Sequence, residues 1–422
     1  CFTNGTHHPP RRRSSALSGC APAGLETSAL GHHGQWPRRC ANRRGHRVKK
    51  EVTWTADEWA DWRWQQRHRI RTLAQLEQWI EPSPAERQAF EQTQAVFRTA
   101  ITPYYASLIN PDDPSCPIRL QAVPQLEELQ KAPSDLSDPL GEERFMVAPG
   151  LTHRYPDRAL LYTNHNCPVY CRFCTRKRKV SDPRSMPSKS DYRQAFDYLR
   201  AHPEIRDVVI SGGDPLSLSN DRLALIFDEL SNIPHIKYCR LGSRNLVTLP
   251  QRCDADLAEL LRTYQTRHLS IFFNTHFNCI EETTEAAWDA CDRIASSGTP
   301  MNNQMVLMRR INDSVERVAE LNERLLQMRV KPYYMLQCDL AEGVSHFRTS
   351  IATGLRILRG LRGHMSGMAS PHYILDAPGG GGKIPLSPNY VIALEAGSLI
   401  FRNFRGDIFR YPESELALES LT

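Results

Sequence analysis

Between residues 51 and 110 apolar positions recur at spacings of three and four, first from Trp54 to Trp64 and again over 73–80. Ser83-Pro84 then opens a further run that reaches Phe97. That spacing puts one apolar stripe on a helix, and Ser before Pro is a helix start, so the stretch is predicted to be helical. Residues 111–150 are rich in Pro and Asp and read as an irregular connection wrapped on a surface. From about residue 158 the pattern changes to short β-type runs alternating with amphipathic helices. Strands are expected at 159–163, 207–211, 236–241, 269–274, 303–308 and 333–337. Helices are expected at 189–201, 221–230, 254–264, 284–296, 314–328 and 350–361. Each crossover is long enough for parallel pairing, so the six repeats predict an α/β fold, a partial (βα)6 barrel short of the eight units of a closed one. Two more apolar strands, at 373–375 and 390–401, are expected around a Gly-rich loop.

This divides the chain of 422 residues into a tail (1–50), a helical region with its wrapping connection (51–150), the barrel (151–370) and a C-terminal segment (371–422). Charge changes the picture only at the tail. Residues 1–50 carry ten Lys/Arg against the single acid Glu26, while the remainder has 43 basic and 46 acidic residues, so the formal +6 belongs to the tail. Runs such as Arg11-Arg12-Arg13 lack interleaved aromatic residues and are expected to form a solvated, disordered arm with no nucleic-acid partner. No run approaches the roughly 20 apolar residues of a membrane span, and the first residues lack the apolar core of a secretory signal. The expectation is a cytoplasmic protein without a membrane partner.

Twelve cysteines in so long a chain do not make a disulfide framework; nine are scattered and three are clustered. The cluster reads Cys167-Pro-Val-Tyr-Cys171-Arg-Phe-Cys174, directly after a predicted strand. Three thiolates on one loop can ligate three irons of a [4Fe–4S] cluster, leaving the fourth iron open to another ligand. Zinc is the rival metal, with His165 as a candidate fourth ligand. The strand at 207–211 runs into Ser211-Gly212-Gly213-Asp214-Pro215, where glycines let backbone approach a ligand closely. Near the end stands Asp376-Ala-Pro-Gly379-Gly380-Gly381-Gly382-Lys383. It is not a nucleotide phosphate loop, because Ile384 follows the lysine where Ser or Thr is required. A lysine on a flexible glycine arm suits transient imine chemistry, which marks Lys383 as a candidate Schiff-base lysine for pyridoxal phosphate (PLP).

The cysteine spacing, with Phe173 before the last cysteine, resembles the radical S-adenosylmethionine (SAM) superfamily, and so does a Gly-Gly-Asp turn one barrel unit later. A longer resemblance, from about Trp54 to Arg410, is to the lysine 2,3-aminomutase family. It is carried by Gly150-Leu-Thr-His-Arg-Tyr-Pro-Asp-Arg158, Cys171-Arg-Phe-Cys-Thr-Arg176, Gly242-Ser-Arg244, Leu249-Pro-Gln-Arg252, Pro332-Tyr-Tyr334, Gln337-Cys-Asp339, His346-Phe-Arg-Thr349 and residues 376–383. The resemblance implies an isomerase that interconverts L-lysine and β-lysine by 1,2-amino migration, using a [4Fe–4S] cluster, SAM and PLP. It implies Cys167, Cys171 and Cys174 as cluster ligands and Lys383 as the PLP lysine. Ser211, Gly212, Gly213, Asp214 and Gln304 would contact SAM, and Tyr155 and Arg158 would contact PLP. Arg176 would take the substrate carboxylate, and Asp339 with Asp376 would hold the ε-ammonium, a pair that glutamate-specific relatives are expected to lack. A flavodoxin or ferredoxin as electron donor and a homo-oligomer follow from the same resemblance. The family's interfacial zinc site is expected to be absent, since Ser314 stands where a cysteine ligand would be and no cysteine follows Cys338. The same chemistry on arginine or on a protein-borne lysine, or radical SAM chemistry without PLP, stays open.

Overall fold

The computed structural model describes residues 54–180, 187–395 and 397–412. The tail expected over residues 1–50 lies outside them. A short antiparallel lead-in of β1 (Met146–Ala148), β2 (Leu151–Tyr155) and β3 (Arg158–Asn164) opens the main sheet. From β3 the pairing turns parallel through β4 (Asp207–Gly212), β5 (Tyr238–Gly242), β6 (Ser270–Thr275), β7 (Met301–Leu307), β8 (Val330–Gln337) and β9 (His372–Ala377). β10 (Gly382–Leu386) folds back antiparallel onto β9. The strands lie in chain order from β1 to β10 in one open sheet.

The six expected repeats are all present. Their crossovers are the helices Lys189–Ala201, Asn220–Ser231, Ala255–Tyr264, Glu285–Ser296, Val315–Gln327 and Ile351–Leu361. Five of them begin at a Ser, Thr or Asp whose side chain accepts the N–H three residues on: Ser188, Asp254, Thr284, Ser314 and Ser350. Ser314, singled out above for the cysteine it replaces, is thus a helix cap.

Strand period does the rest. On β4, Val208 and Ile210 are fully buried beneath the helices, while Val209 and Ser211 line the interior cavity. The same alternation sends Arg240 and Gly242 of β5, Gln304 and Val306 of β7, and Tyr334 and Leu336 of β8 inward. The sheet does not close by a strand ladder. Its two ends meet through side chains: the Tyr155 hydroxyl on β2 accepts the Lys383 N–H on β10 at 2.8 Å. Nearby, Gly379 N–H donates to the Pro139 carbonyl at 3.1 Å.

Three differences from the sequence reading have simple causes. The strand expected over 390–401 is a hairpin, β11 (Val391–Glu395) and β12 (Ser398–Arg402), turning at Gly397 with φ of 70°. With β13 (Ile408–Pro412) it makes a separate three-stranded sheet. The segment 54–64 is two helices, Ala56–Ala60 and Trp62–Arg67, because the Asp61 side chain caps the second. The connection over 111–150 contains a helix, Pro117–Ala122, and β1.

Candidate active site

The cysteine loop leaves the C-terminal end of β3 and is clamped from behind. Arg172, 1% exposed, places its guanidinium on Glu128 at 2.5 and 2.9 Å. Lys177 reaches the same carboxylate at 2.6 Å and also donates to the carbonyls of Arg172 and Gly343. Burial opposes the charge on Glu128, but Arg172 and then Lys177 outweigh it and hold the carboxyl at about 2. Arg69 fixes the start of the loop, donating to Asn166 Oδ1 at 2.8 Å and to the Cys167 carbonyl at 2.5 Å.

The Gly-Gly-Asp turn serves the loop first. Asp214 N–H donates to the Asn166 carbonyl at 2.8 Å, and Gly213 N–H to the Asn164 carbonyl. A Cβ on Gly213 would lie 2.5 Å from the Asn166 carbonyl oxygen, and one on Gly212, where φ is +122°, 2.5 Å from that of Asn164. The close approach that demands glycine is therefore to the cysteine loop's own backbone. Asp214 is likewise engaged: Ser243 Oγ donates to it at 2.7 Å, and the N–H groups of Leu216 and Arg244 at 3.0 and 2.8 Å. Burial nevertheless pushes its carboxyl up to about 6.

Cys167, Cys171 and Cys174 are free thiols that open on one cavity. Burial, followed by the neighbouring Cys171 sulfur, pushes Cys174 up to about 11. Metal cations among the thiols favour their deprotonated form. No three His, Cys, Asp or Glu side chains among the described residues converge on the point a single ion would occupy. Three thiols on one loop fit a [4Fe–4S] cluster, in which each of three irons takes one thiolate.

Across the cavity stands the β9–β10 hairpin. Its register sets Lys383 directly opposite Asp376, and the lysine Nζ pairs with Asp376 Oδ2. The glycines, with positive φ at Gly379, Gly380 and Gly382, form the turn. The expected flexible arm is thus corrected: Lys383 sits on a paired strand. Pro385 and Gly382 disguised that strand, and an edge position tolerates both. Arg154 Nη2 approaches the other Asp376 oxygen at 3.4 Å. Asp339, after β8, accepts the Thr175 hydroxyl at 2.8 Å. Burial and then the charge of Asp376 push the Asp339 carboxyl up to about 6. Arg176 lies side-on against Glu142, with Nε at 2.9 Å and Nη2 at 2.6 Å from Oε1. Burial is outweighed by Arg176, which holds Glu142 at about 2. The guanidinium carbons of Arg154 and Arg158 lie 4.8 and 4.6 Å from the centroid of the Tyr155 ring. Tyr333 and Tyr334 stack at 3.7 Å, and Lys383 Nζ lies 5.9 Å from the Tyr334 ring.

The fourteen residues given cluster, SAM, PLP or substrate roles above all line this one cavity of about 760 Å³, and His165, the candidate zinc ligand, is not among its lining residues. Glu142, Arg154 and His276 line it too and were given no role above; Arg154 falls in the quoted stretch 150–158, while nothing in the local sequence marks Glu142 or His276.

An open parallel barrel with three thiols on the loop after its first parallel strand defines a radical SAM enzyme, and the radical SAM superfamily model matches residues 161–321. A second model, described as lysine-2,3-aminomutase, matches residues 358–421. The L-lysine 2,3-aminomutase of Clostridium subterminale is 46% identical over 84% of this chain and 85% of its own. That of Bacillus subtilis is 45% identical over 85% and 75%. A glutamate 2,3-aminomutase of Clostridioides difficile is 39% identical over 90% and 88%. The chain belongs to the lysine 2,3-aminomutase family. With that membership come an isomerase activity and three cofactors: a [4Fe–4S] cluster, SAM and PLP.

Proposed function

We propose that this enzyme interconverts L-lysine and β-lysine. The observation that carries the reading is the acidic end of the cavity, where Asp376 already holds a lysine ε-ammonium, that of Lys383. Beside it Asp339 accepts the Thr175 hydroxyl and, among the described residues, forms no ion pair. A substrate ammonium supplies the missing charge, as two facing carboxylates require. In this reading Arg176 takes the substrate carboxylate. Glu142 occupies the Nε edge of its guanidinium and leaves the Nη1 edge for a second, bidentate partner.

Cys167, Cys171 and Cys174 hold the cluster, and the Ser211–Asp214 turn with Gln304 faces SAM. Lys383 is the attachment point for PLP, with Tyr155 and Arg158 beside it. When bound, the cluster supplies the electron that cleaves SAM, SAM the hydrogen-abstracting radical, and PLP the carbonyl that carries the migrating amino group. The chain's own work is to fix the two ends of the substrate, so that its β-carbon stays over the SAM site, and to keep water out. The division at residues 50, 150 and 370, cytoplasmic placement, homo-oligomeric assembly and a flavodoxin or ferredoxin donor belong to the same proposal. Among the described residues no helix is long and apolar enough to cross a membrane.

The test is an anaerobic turnover assay with cluster, SAM, PLP and reductant, offering lysine, arginine and glutamate separately. β-Lysine from lysine alone, lost in Cys171→Ala and Lys383→Ala, is the expected result. Deoxyadenosine release without β-lysine would refute the substrate, and failure of borohydride to trap PLP at Lys383 would refute the PLP lysine.

A further inference from the structure

Arg244 stands at the end of β5 and joins three parts of the site. Its side chain is 9% exposed. Nη1 lies 2.9 Å from Cys171 Sγ. The other two nitrogens are committed elsewhere: Nε to the His276 carbonyl at 3.1 Å, and Nη2 to Glu282 at 2.6 Å and Gln121 at 2.8 Å. Its backbone N–H donates to Asp214 at 2.8 Å, which ties it to the turn facing SAM. The fully buried Glu282 is itself fixed by Tyr105, Gln121 and the Asn278 N–H. The guanidinium is therefore immobilised on its far side, with its remaining edge on the sulfur.

We infer that Arg244 is a positioning residue that sets the reduction potential of the cluster, through a charge-assisted hydrogen bond to the Cys171 thiolate. This rests on the reading of Cys171 as a cluster ligand. Reduction adds one electron from the reductant and no proton, so the extra negative charge spreads onto the sulfurs. A donor aimed at one of them favours the reduced form, and hydrogen bonds to sulfur are among the factors that set such potentials. The charge of Arg244 is balanced by Glu282 on the side away from the cysteine. What reaches the sulfur is a directed N–H, and a mobile lysine does not reproduce it.

The test uses the full chain, reconstituted with iron and sulfide without SAM and equilibrated with dithionite and mediators at a fixed poise. The reduced fraction is read by electron paramagnetic resonance. Arg244→Met is expected to load wild-type iron yet lower the reduced-to-oxidised ratio about tenfold, equivalent to about 59 mV for one electron. Arg244→Lys is expected to fall between. An Arg244→Met protein with full iron and a ratio within about twofold of wild type overturns the inference. A Cys171→Ala protein that keeps a full cluster overturns the ligand reading instead. Should the Arg244 variants fail to load iron, wild-type protein labelled with ¹⁵N-arginine decides. A guanidinium nitrogen coupling in the pulsed spectrum of the reduced cluster is expected, and its absence overturns the inference.

Discussion

Lowering the pH should weaken lysine binding through one carboxyl group, Asp339. Its carboxyl titrates at about 6 because it is buried and because Asp376 adds negative charge. An ammonium is held only by the ionised form. Below pH 6, each unit therefore costs a factor of ten in affinity, about 1.4 kcal/mol. At pH 5 KM for lysine should be about tenfold above its value at pH 7.5, with kcat changed much less. The effect on folding has the opposite sign. A carboxyl raised from 3.8 to about 6 favours the protonated fold, so its contribution is present below pH 4 and is lost as pH rises to 6. That amounts to about 3 kcal/mol in the ligand-free protein. Asp214 also titrates at about 6, but its oxygens face Ser243 and the Arg244 and Leu216 N–H groups, so its titration belongs in the dependence on SAM. Initial rates of β-lysine formation between pH 5 and 8 separate KM for the two. A lysine KM that stays flat refutes the reasoning, as does an acid limb that survives in Asp339→Asn.

Three further outcomes follow from the geometry. Gly213→Ala sets a methyl 2.5 and 2.6 Å from the oxygen and nitrogen of Asn166. Both atoms are backbone, so the cysteine loop must move, and iron per chain should fall severalfold with a loss of about 1–3 kcal/mol in urea unfolding. Glu128→Gln removes the shared counterion of Arg172 and Lys177 and should cost about 3–5 kcal/mol; near-wild-type denaturation would contradict the clamp. Glu142→Gln weakens the side-on hold on Arg176. It should raise KM for lysine about tenfold while kcat changes less than threefold, and a matched fall in kcat instead would place Glu142 elsewhere in the cycle.

The repeats were legible because the amphipathic crossovers and the period-2 strands agree, and five crossovers open on a capping Ser, Thr or Asp. Hydrophobic pattern says nothing of β10, where Gly382 and Pro385 read as loop and only pairing with β9 makes a strand. It is equally silent on Glu142 and Glu128. A Glu-Glu pair before a strand or in a short turn looks solvated until the fold brings Arg176 or Arg172 to one of its acids, 34 or 44 residues away. The cysteines and Lys383 were marked by spacing and by a run of glycines. The glycines also do what the sequence does not show: at Gly212 and Gly213 they admit a neighbouring loop, and between β9 and β10 they turn a hairpin that holds Lys383 against Asp376.

That hairpin also argues which amino acid the cavity accepts. Asp376 is held within the protein by Arg154 and, until PLP takes the lysine nitrogen, by Lys383. Among the described residues Asp339 accepts one hydroxyl and forms no ion pair, so a cation on the substrate is favoured there. A glutamate side chain would instead bring a third carboxylate. Two like charges about 4 Å apart near a protein surface repel by about 4 kcal/mol, which is about a thousandfold in kcat/KM. Replacing the charge at Asp339 by Asn removes the repulsion as well as the attraction. The variant should lose lysine activity and narrow the discrimination at least tenfold. If wild type turns over glutamate within tenfold of lysine, the acidic end of the cavity does not choose the substrate, and the two aspartates serve only to hold Lys383 and the hairpin.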